Sequence, residues 1–385
     1  MKIPLRYNLG SLWARRTGTV MTVAGIGFTV VIFIIMAALA NGLESTFVET
    51  GQDKQWIVIR QGSLNETNSY FGRDLFQVVR FLPGIARGSD AEPMAIGEIV
   101  VNVNHTRLDG ESSNLLLRGT SEKTLTLRPE VSLVAGRMFR SGLREVVAGR
   151  PLALRFQNLT VGSTVHLGRS DWTVVGLFDG GGSAYDSEVW GDYGAVSLDW
   201  DRPIYSSILL RAENDAAGEE VRRRIADDRR INLQAIPQKQ YFSDQASTSV
   251  GVKLLGNFIA VLMGIGACFA AMNMMYGSVM SRSREIATLR AIGFRRRNIL
   301  TSFLFESVLL GLMGGILGSV LSLPVHGISA ATANFETFNE VLFHFKLTPG
   351  ILMKGVLFAV AVGVVGGYLP ARHAARAKLV EILRD

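Results

Sequence analysis

"TVMTVAGIGFTVVIFIIMAAL", residues Thr19–Leu39, runs for 21 positions without a charged side chain. At a rise of about 1.5 Å per residue, a helix of that length matches the roughly 30 Å hydrocarbon layer of a bilayer. Three more windows share this character: Leu254–Tyr276, Leu300–Leu323 and Ile351–Leu369. The only charged side chains in these three are Glu306 and Lys354. The expectation is an α-helical membrane protein with four transmembrane helices. Ala38-Leu39-Ala40 imitates a signal-cleavage site, but the apolar run before it exceeds the 7–15 residues of a secretory signal, so a retained anchor is expected.

The chain is 48% hydrophobic and carries a formal net charge of +7. Its charge distribution argues for a membrane and against nucleic acid. Lys2, Arg6, Arg15 and Arg16 precede the first span, and six arginines lie between Arg282 and Arg297. Residues 42–250 instead hold 23 Lys and Arg against 27 Asp and Glu. Lys and Arg gathered in short segments beside spans mark the cytoplasmic side. Both termini and the 277–299 loop are therefore expected inside, with the large segment outside. Within Ile3–Arg16, Leu5, Leu9, Leu12 and Trp13 fall on one helical stripe. This stretch (1–16) reads as an amphipathic interfacial helix or as the cytoplasmic end of the first span. One cysteine, Cys268, lies in the second span, so no disulfide framework is available.

The segment 42–250 begins with a strand pattern "WIVIR" (Trp56–Arg60), then helical "GRDLFQVVRFL" broken by Pro83-Gly84, then strand "GEIVVNVN". Near its end "YSSILLRA", "DAAGEEVRRRIADD" and "INLQAIP" repeat the order strand, helix, strand. The expected fold is a large α/β domain between helices 1 and 2, with two βαβ-like units bracketing a β-rich insertion over roughly 100–200. The domain limits read from sequence are 17–41 for the first span, 42–250 for the outer domain and 251–385 for the remaining spans. Gly180–Gly182 could cradle a phosphate, but no GK[ST] follows, and a tight turn is the expected reading.

Catalytic patterns are missing. The five histidines are scattered without metal-ligand spacing, and no Walker or G-x-S-x-G motif occurs. No catalytic, cofactor or metal residue is assigned. In the spans, Gly311/Gly315, Gly314/Gly318 and Gly363/Gly367 form G-x-x-x-G pairs that let helices pack closely, within or between subunits. Glu306 is expected to avoid lipid and anchor against a helix or the interface, with a proton relay as the alternative.

The loop "SREIATLRAIGFRRRN" (Ser283–Asn298) is too ordered for a tether. Ile286, Leu289 and Ile292 make one helical stripe, and Arg284, Glu285 and Arg290 lie off its centre. Gly293 supplies a left-handed helix stop, Phe294 can fold back on it, and Asn298 is placed to cap the next helix. A short helix presenting an apolar stripe edged by charge is expected to dock a cytoplasmic protein.

These residues resemble a known family. "SRSREIATLRAIGFRRRNILTSFLFESVLLGLMGGILG" and "GGYLPARHAARAKLVEILRD" are similar to FtsX-like permeases, and "LPGI", "LTVGSTVHL", "WTVVGLFD" and "SAYDSEVW" to the periplasmic core of MacB-type permeases. Lys378-Leu379 stands where proline is commonest in that pattern, and Ile382 replaces alanine. The resemblance implies a type VII ABC permease without an ATPase of its own. Two copies, identical or different, would pair in the bacterial inner membrane above two separate cytoplasmic ATPase subunits, which bind ATP and Mg. The coupling helix, about 283–293, would touch the ATPase through Arg284, Glu285, Ile286, Leu289, Arg290, Ala291, Ile292, Gly293 and Phe294. Stalks from the first two spans would move the outer domain by mechanotransmission. Export of a substrate with a periplasmic adaptor is the expected activity, with lipoprotein extraction or signalling to cell-wall hydrolases as the alternatives.

Overall fold

A computed structural model describes residues 16–228, 230–246, 249–333 and 339–376. The N-terminal interfacial helix and the C-terminal tail beyond 376 lie outside the described residues. The chain divides into two compact units: residues 16–41, 251–328 and 345–376 form one, and 42–250 with Ser329–His344 form the other.

The first unit is helical. α1 (Arg16–Thr50), α2 (Ser249–Ser281), α4 (Arg296–Ser322) and α5 (Pro349–Arg376) are long, and a short α3 (Ser283–Ala291) joins α2 to α4. Among the described residues, four helices are long and apolar enough to cross a membrane. α1, with 35 residues, and α2, with 33, are each about 50 Å long, well beyond a bilayer's hydrocarbon. The glycines of α4 face two different neighbours. A Cβ at Gly311 would lie 2.6 Å from the Ala359 carbonyl oxygen, and one at Gly315 would lie 3.0 Å from the Ala359 Cβ, both on α5. Cβ atoms at Gly314 and Gly318 would each come within 2.7 Å of α1, at Ile26 and at the Gly27 oxygen. Gly363 and Gly367 return the contact from α5, against Ser307 of α4. The overlapping G-x-x-x-G pairs thus seat one helix against two others of the same protomer.

The second unit is built on a ten-stranded sheet. Its strands are β1 (Gln55–Arg60), β2 (Ala95–Thr106), β3 (Ser112–Thr120), β4 (Ser132–Gly136), β5 (Glu145–Gly149), β6 (Thr164–Leu167), β7 (Ser170–Asp179), β8 (Glu188–Asp192), β9 (Ser207–Arg211) and β10 (Leu233–Pro237). Their order is β10-β1-β9-β2-β3-β8-β5-β7-β4, with β6 paired to β7. The two βαβ units, through helices Arg73–Arg80 and Asp215–Asp227, interleave so that every neighbour in β10-β1-β9-β2 is antiparallel. This is a split βαβ arrangement, with the β-rich insertion placed between its second and third strands. β2 serves both halves. Its first residues pair with β9, and Ile99–Thr106 pair with β3 of the insertion. One apolar core gathers Trp56, Val58, Phe76, Val221 and Ile225, and a second gathers Ile99, Leu115, Leu117, Trp172 and Val174.

A charged cluster is buried among these strands. Arg118 on β3 donates to Glu66, Glu98 and Glu188, each at 2.8 Å. Arg128 reaches Glu98 at 2.7 Å, and its guanidinium lies 4.7 Å from the Tyr185 ring centroid. Burial alone would raise the Glu98 pKa, but Arg128 and Arg118 outweigh it and hold the carboxyl at about 2 against the ordinary 4.5. Three carboxylates and two guanidiniums thus pair where the two halves of the sheet join, with Thr120 and Trp190 adding bonds to Glu98 and Glu188.

The glycine run resolves as a turn that binds its own chain. Gly180 N–H and Gly182 N–H donate to the Asp186 carboxylate at 2.6 and 2.8 Å, so the cradle holds an internal anion. Burial pushes the Asp186 pKa up despite these bonds.

The segment between the third and fourth spans differs from the sequence-based division, which counts it with the spans. Strands β11 (Ser329–Ala333) and β12 (Glu340–His344) pair antiparallel and belong to the outer unit. Leu342 is buried in the insertion's core, a long-range contact that leaves no local periodicity to read.

Candidate functional site

α3 starts immediately after α2, with Arg282 between them, and ends in a Schellman motif. Gly293 has φ +105°; its N–H bonds the Arg290 carbonyl at 3.1 Å, and Phe294 N–H bonds that of Leu289 at 3.1 Å. A side chain with a Cβ is strained at that angle, so the stop depends on glycine. The next helix begins at Arg296, ahead of Asn298, so Asn298 is not its cap; Arg295 takes that position with extended backbone.

The apolar stripe divides in two. Ile286 is 3% exposed and packs with Met275, Val279, Ile299 and Phe303, and Ala287 is buried beside it. Ile292 is 65% exposed, and Leu289 and Phe294 are half-buried. The helix therefore uses one end of the stripe to fix itself to its own protomer and leaves the other end outward. Ala291 and Gly293 are exposed beside that outward end, Arg284 and Glu285 are exposed at the start of the helix, and Arg290 is half-buried.

One arginine ties α3 to the third span. Arg282 donates from Nε to Glu285 and from Nη1 to Glu306, both at 3.2 Å, and its guanidinium lies 5.3 Å from the Phe303 ring centroid. Glu306 is 4% exposed, as an acidic side chain at membrane depth requires. The sequence reading counts Arg282 among the topology-setting cations. The signal for its role was Glu306 itself, a buried carboxylate that needs a cation at the nearer end of a neighbouring helix. No group of three or more His, Cys, Asp or Glu able to hold a metal occurs among the described residues.

On the outer unit, the last turn of α1 and the helix Gln238–Ala246 just before α2 meet around Tyr185. Thr50 Oγ1 accepts from Ala184 N–H at 2.8 Å, Gln52 N–H donates to Gln238 at 2.8 Å, and Gln238 donates to the Tyr185 hydroxyl at 3.0 Å. The two chain entries are thus bonded to each other through Gln238, which also holds the Tyr185 hydroxyl, and the Tyr185 ring stacks on Arg128 of the buried cluster.

Four apolar spans, an α/β domain between the first two, and a short capped helix between the second and third define a membrane permease. A model of the MacB-like periplasmic core domain matches residues 19–228, and one of the FtsX-like permease C-terminal matches 257–379. The chain belongs to the MacB/FtsX-like family of ABC transporter permeases. It is 25% identical over 395 residues to the macrolide export ATP-binding/permease protein MacB of Escherichia coli, covering 97% of this chain and 59% of the relative. It is 30% identical over 241 residues to the protein of that name from Hahella chejuensis, covering 58% of this chain and 35% of the relative. The chain thus spans less than two-thirds of the length of these curated relatives. The periplasmic region of MacB from Actinobacillus actinomycetemcomitans aligns with 50% of this chain and 92% of that one, at 11% identity and a TM-score of 0.39.

Proposed function

We propose that this chain is the membrane subunit of an ATP-driven machine, in which two copies pair over two cytoplasmic ATPase subunits and convey their stroke to the outer domain. ATP and Mg²⁺ bind on the ATPase. This chain supplies the handle and the lever. The observation that carries the reading is the divided stripe of α3. Ile286 fixes the helix to the protomer, while Ile292, Leu289 and the neighbouring charges face outward as a docking surface. The Arg282 bridge to Glu306 stiffens the handle, so a push on α3 moves the third span with it. The length of α1 and α2, and their bonded entries around Tyr185, support transmission to the far side. Resemblance to MacB favours export of a substrate with a periplasmic adaptor in the bacterial inner membrane. Lipoprotein extraction uses the same lever, and signalling to cell-wall hydrolases is disfavoured by the size of the outer domain.

The test is affinity capture of the detergent-solubilised chain with its ATPase. The intact chain is expected to bring down an ABC ATPase, and Leu289→Asp to lose it by at least about tenfold, since a charge at a desolvated contact costs a few kcal/mol. Equal capture by both chains overturns the docking surface.

A further inference from the structure

Antiparallel helices are ordinarily joined by about 2–8 residues, yet 26 residues separate α4 from α5. The excess is folded into the β11–β12 hairpin, and its side chains enter the outer domain. Val341, Leu342 and Phe343 are buried, and Leu342 completes the core around Ile99 and Trp172. The Leu342 N–H donates to Ser187 Oγ at 2.8 Å. Glu340, its side chain 1% exposed, accepts from Arg107 Nε at 2.8 Å and from Arg155 Nε at 2.9 Å. Arg107 follows β2, and Arg155 follows the short helix Arg150–Ala153. A buried carboxylate satisfied by two guanidiniums from separate segments holds in one register only. Any shift of the hairpin leaves a buried charge without its partners.

We propose that this hairpin is a third attachment of the outer domain, clamped by Glu340, through which the third and fourth spans drive it. The proposal rests on the lever reading above. Two chain entries, from α1 and α2, already reach the outer domain. The hairpin adds a core side chain and an ion clamp delivered from the chain between the third and fourth spans. A stroke received at α3 then reaches the outer domain by two routes. One runs through α2, and the other runs through Arg282, Glu306 and α4 to the hairpin.

Hydrogen exchange read by mass spectrometry on the full chain with its ATPase, with and without ATP and vanadate, tests this. In the unaltered chain the Val341–Phe343 amides are expected to exchange within about tenfold of β8 in both states, as parts of one cooperative unit do. Glu340→Arg is expected to speed their exchange by about 100-fold or more while β1 and β9 change little. It is also expected to cut the ATP-dependent change in the outer domain by at least half. Hairpin amides that exchange at the rate of an unstructured peptide in the unaltered chain overturn the attachment. An ATP response in Glu340→Arg equal to the original overturns its role in transmission. Absence of any ATP response in the unaltered chain instead defeats the lever reading itself, and transmission through the hairpin with it. If Glu340→Arg also loosens β1 and β9, Glu340→Gln reads the same quantities without reversing the charge.

Discussion

Arg118 sits at the point where the two halves of the outer sheet are joined, and its three acceptors come from three separate segments: the turn after β1, β2 and β8. Replacing it with methionine roughly keeps the volume but leaves Glu66 and Glu188 buried without their guanidinium, while Glu98 keeps only the Arg128 guanidinium. A loss of about 3–5 kcal/mol is expected, because an uncompensated buried charge costs more than the pair contributed. Urea unfolding of the full chain followed by tryptophan fluorescence reads it, since Trp190 donates to Glu188 at 2.6 Å. A change under about 1 kcal/mol would show that the cluster is dispensable. Acid has a related effect. The folded pKa of Glu98 lies below its unfolded value, so its contribution is complete above about pH 4.5 and is lost as the pH falls toward 2. Glu98→Gln should flatten that part of the acid profile. None of this was legible in the sequence, where 27 carboxylates lie between 42 and 250 and local spacing cannot say which three share an arginine.

The short helix α3 shows what periodicity conveys about an element and what it withholds. Ile286, Leu289 and Ile292 were legible as a stripe, and Gly293 as its stop, because both are consequences of local backbone geometry. Which end of the stripe its own protomer covers depends on α2 and α4, and only the fold supplies that. Two substitutions of the same chemistry therefore separate. Ile286→Asp places a charge among Met275, Val279 and Phe303 and should lower the thermal midpoint of the membrane unit by several degrees. Ile292→Asp, at a site 65% exposed, should leave that midpoint unchanged and abolish ATPase capture. Thermal scanning of detergent-solubilised protein, paired with the capture assay, reads both. The reverse pattern would mean that α3 docks with its other face.

Across the whole molecule, the four spans and the charge asymmetry were legible because lipid imposes composition over long windows. The hairpin was not, because its strands are short and their partners lie far away in sequence. The orientation assigned from those charges has a direct check. Cys268 is the single cysteine of the chain, half-buried in the second span with its thiol 3.7 Å from the Val362 carbonyl oxygen. Cys268→Ala removes one weak donor and little volume, so the cysteine-free protein should fold. On that background, Leu198→Cys places a thiol at a position 74% exposed on the outer unit, and Arg297→Cys places one in the exposed first turn of α4. A membrane-impermeant maleimide added to intact spheroplasts should label Leu198→Cys fully and reach Arg297→Cys only after permeabilisation. The basic segments beside the spans hold that orientation, because carrying several arginines across the bilayer is disfavoured at each one. Labelling of Arg297→Cys in intact spheroplasts would put α3 on the side where no ATP-driven partner is available. The docking surface, the Arg282 bridge and the lever would then all lose their motor.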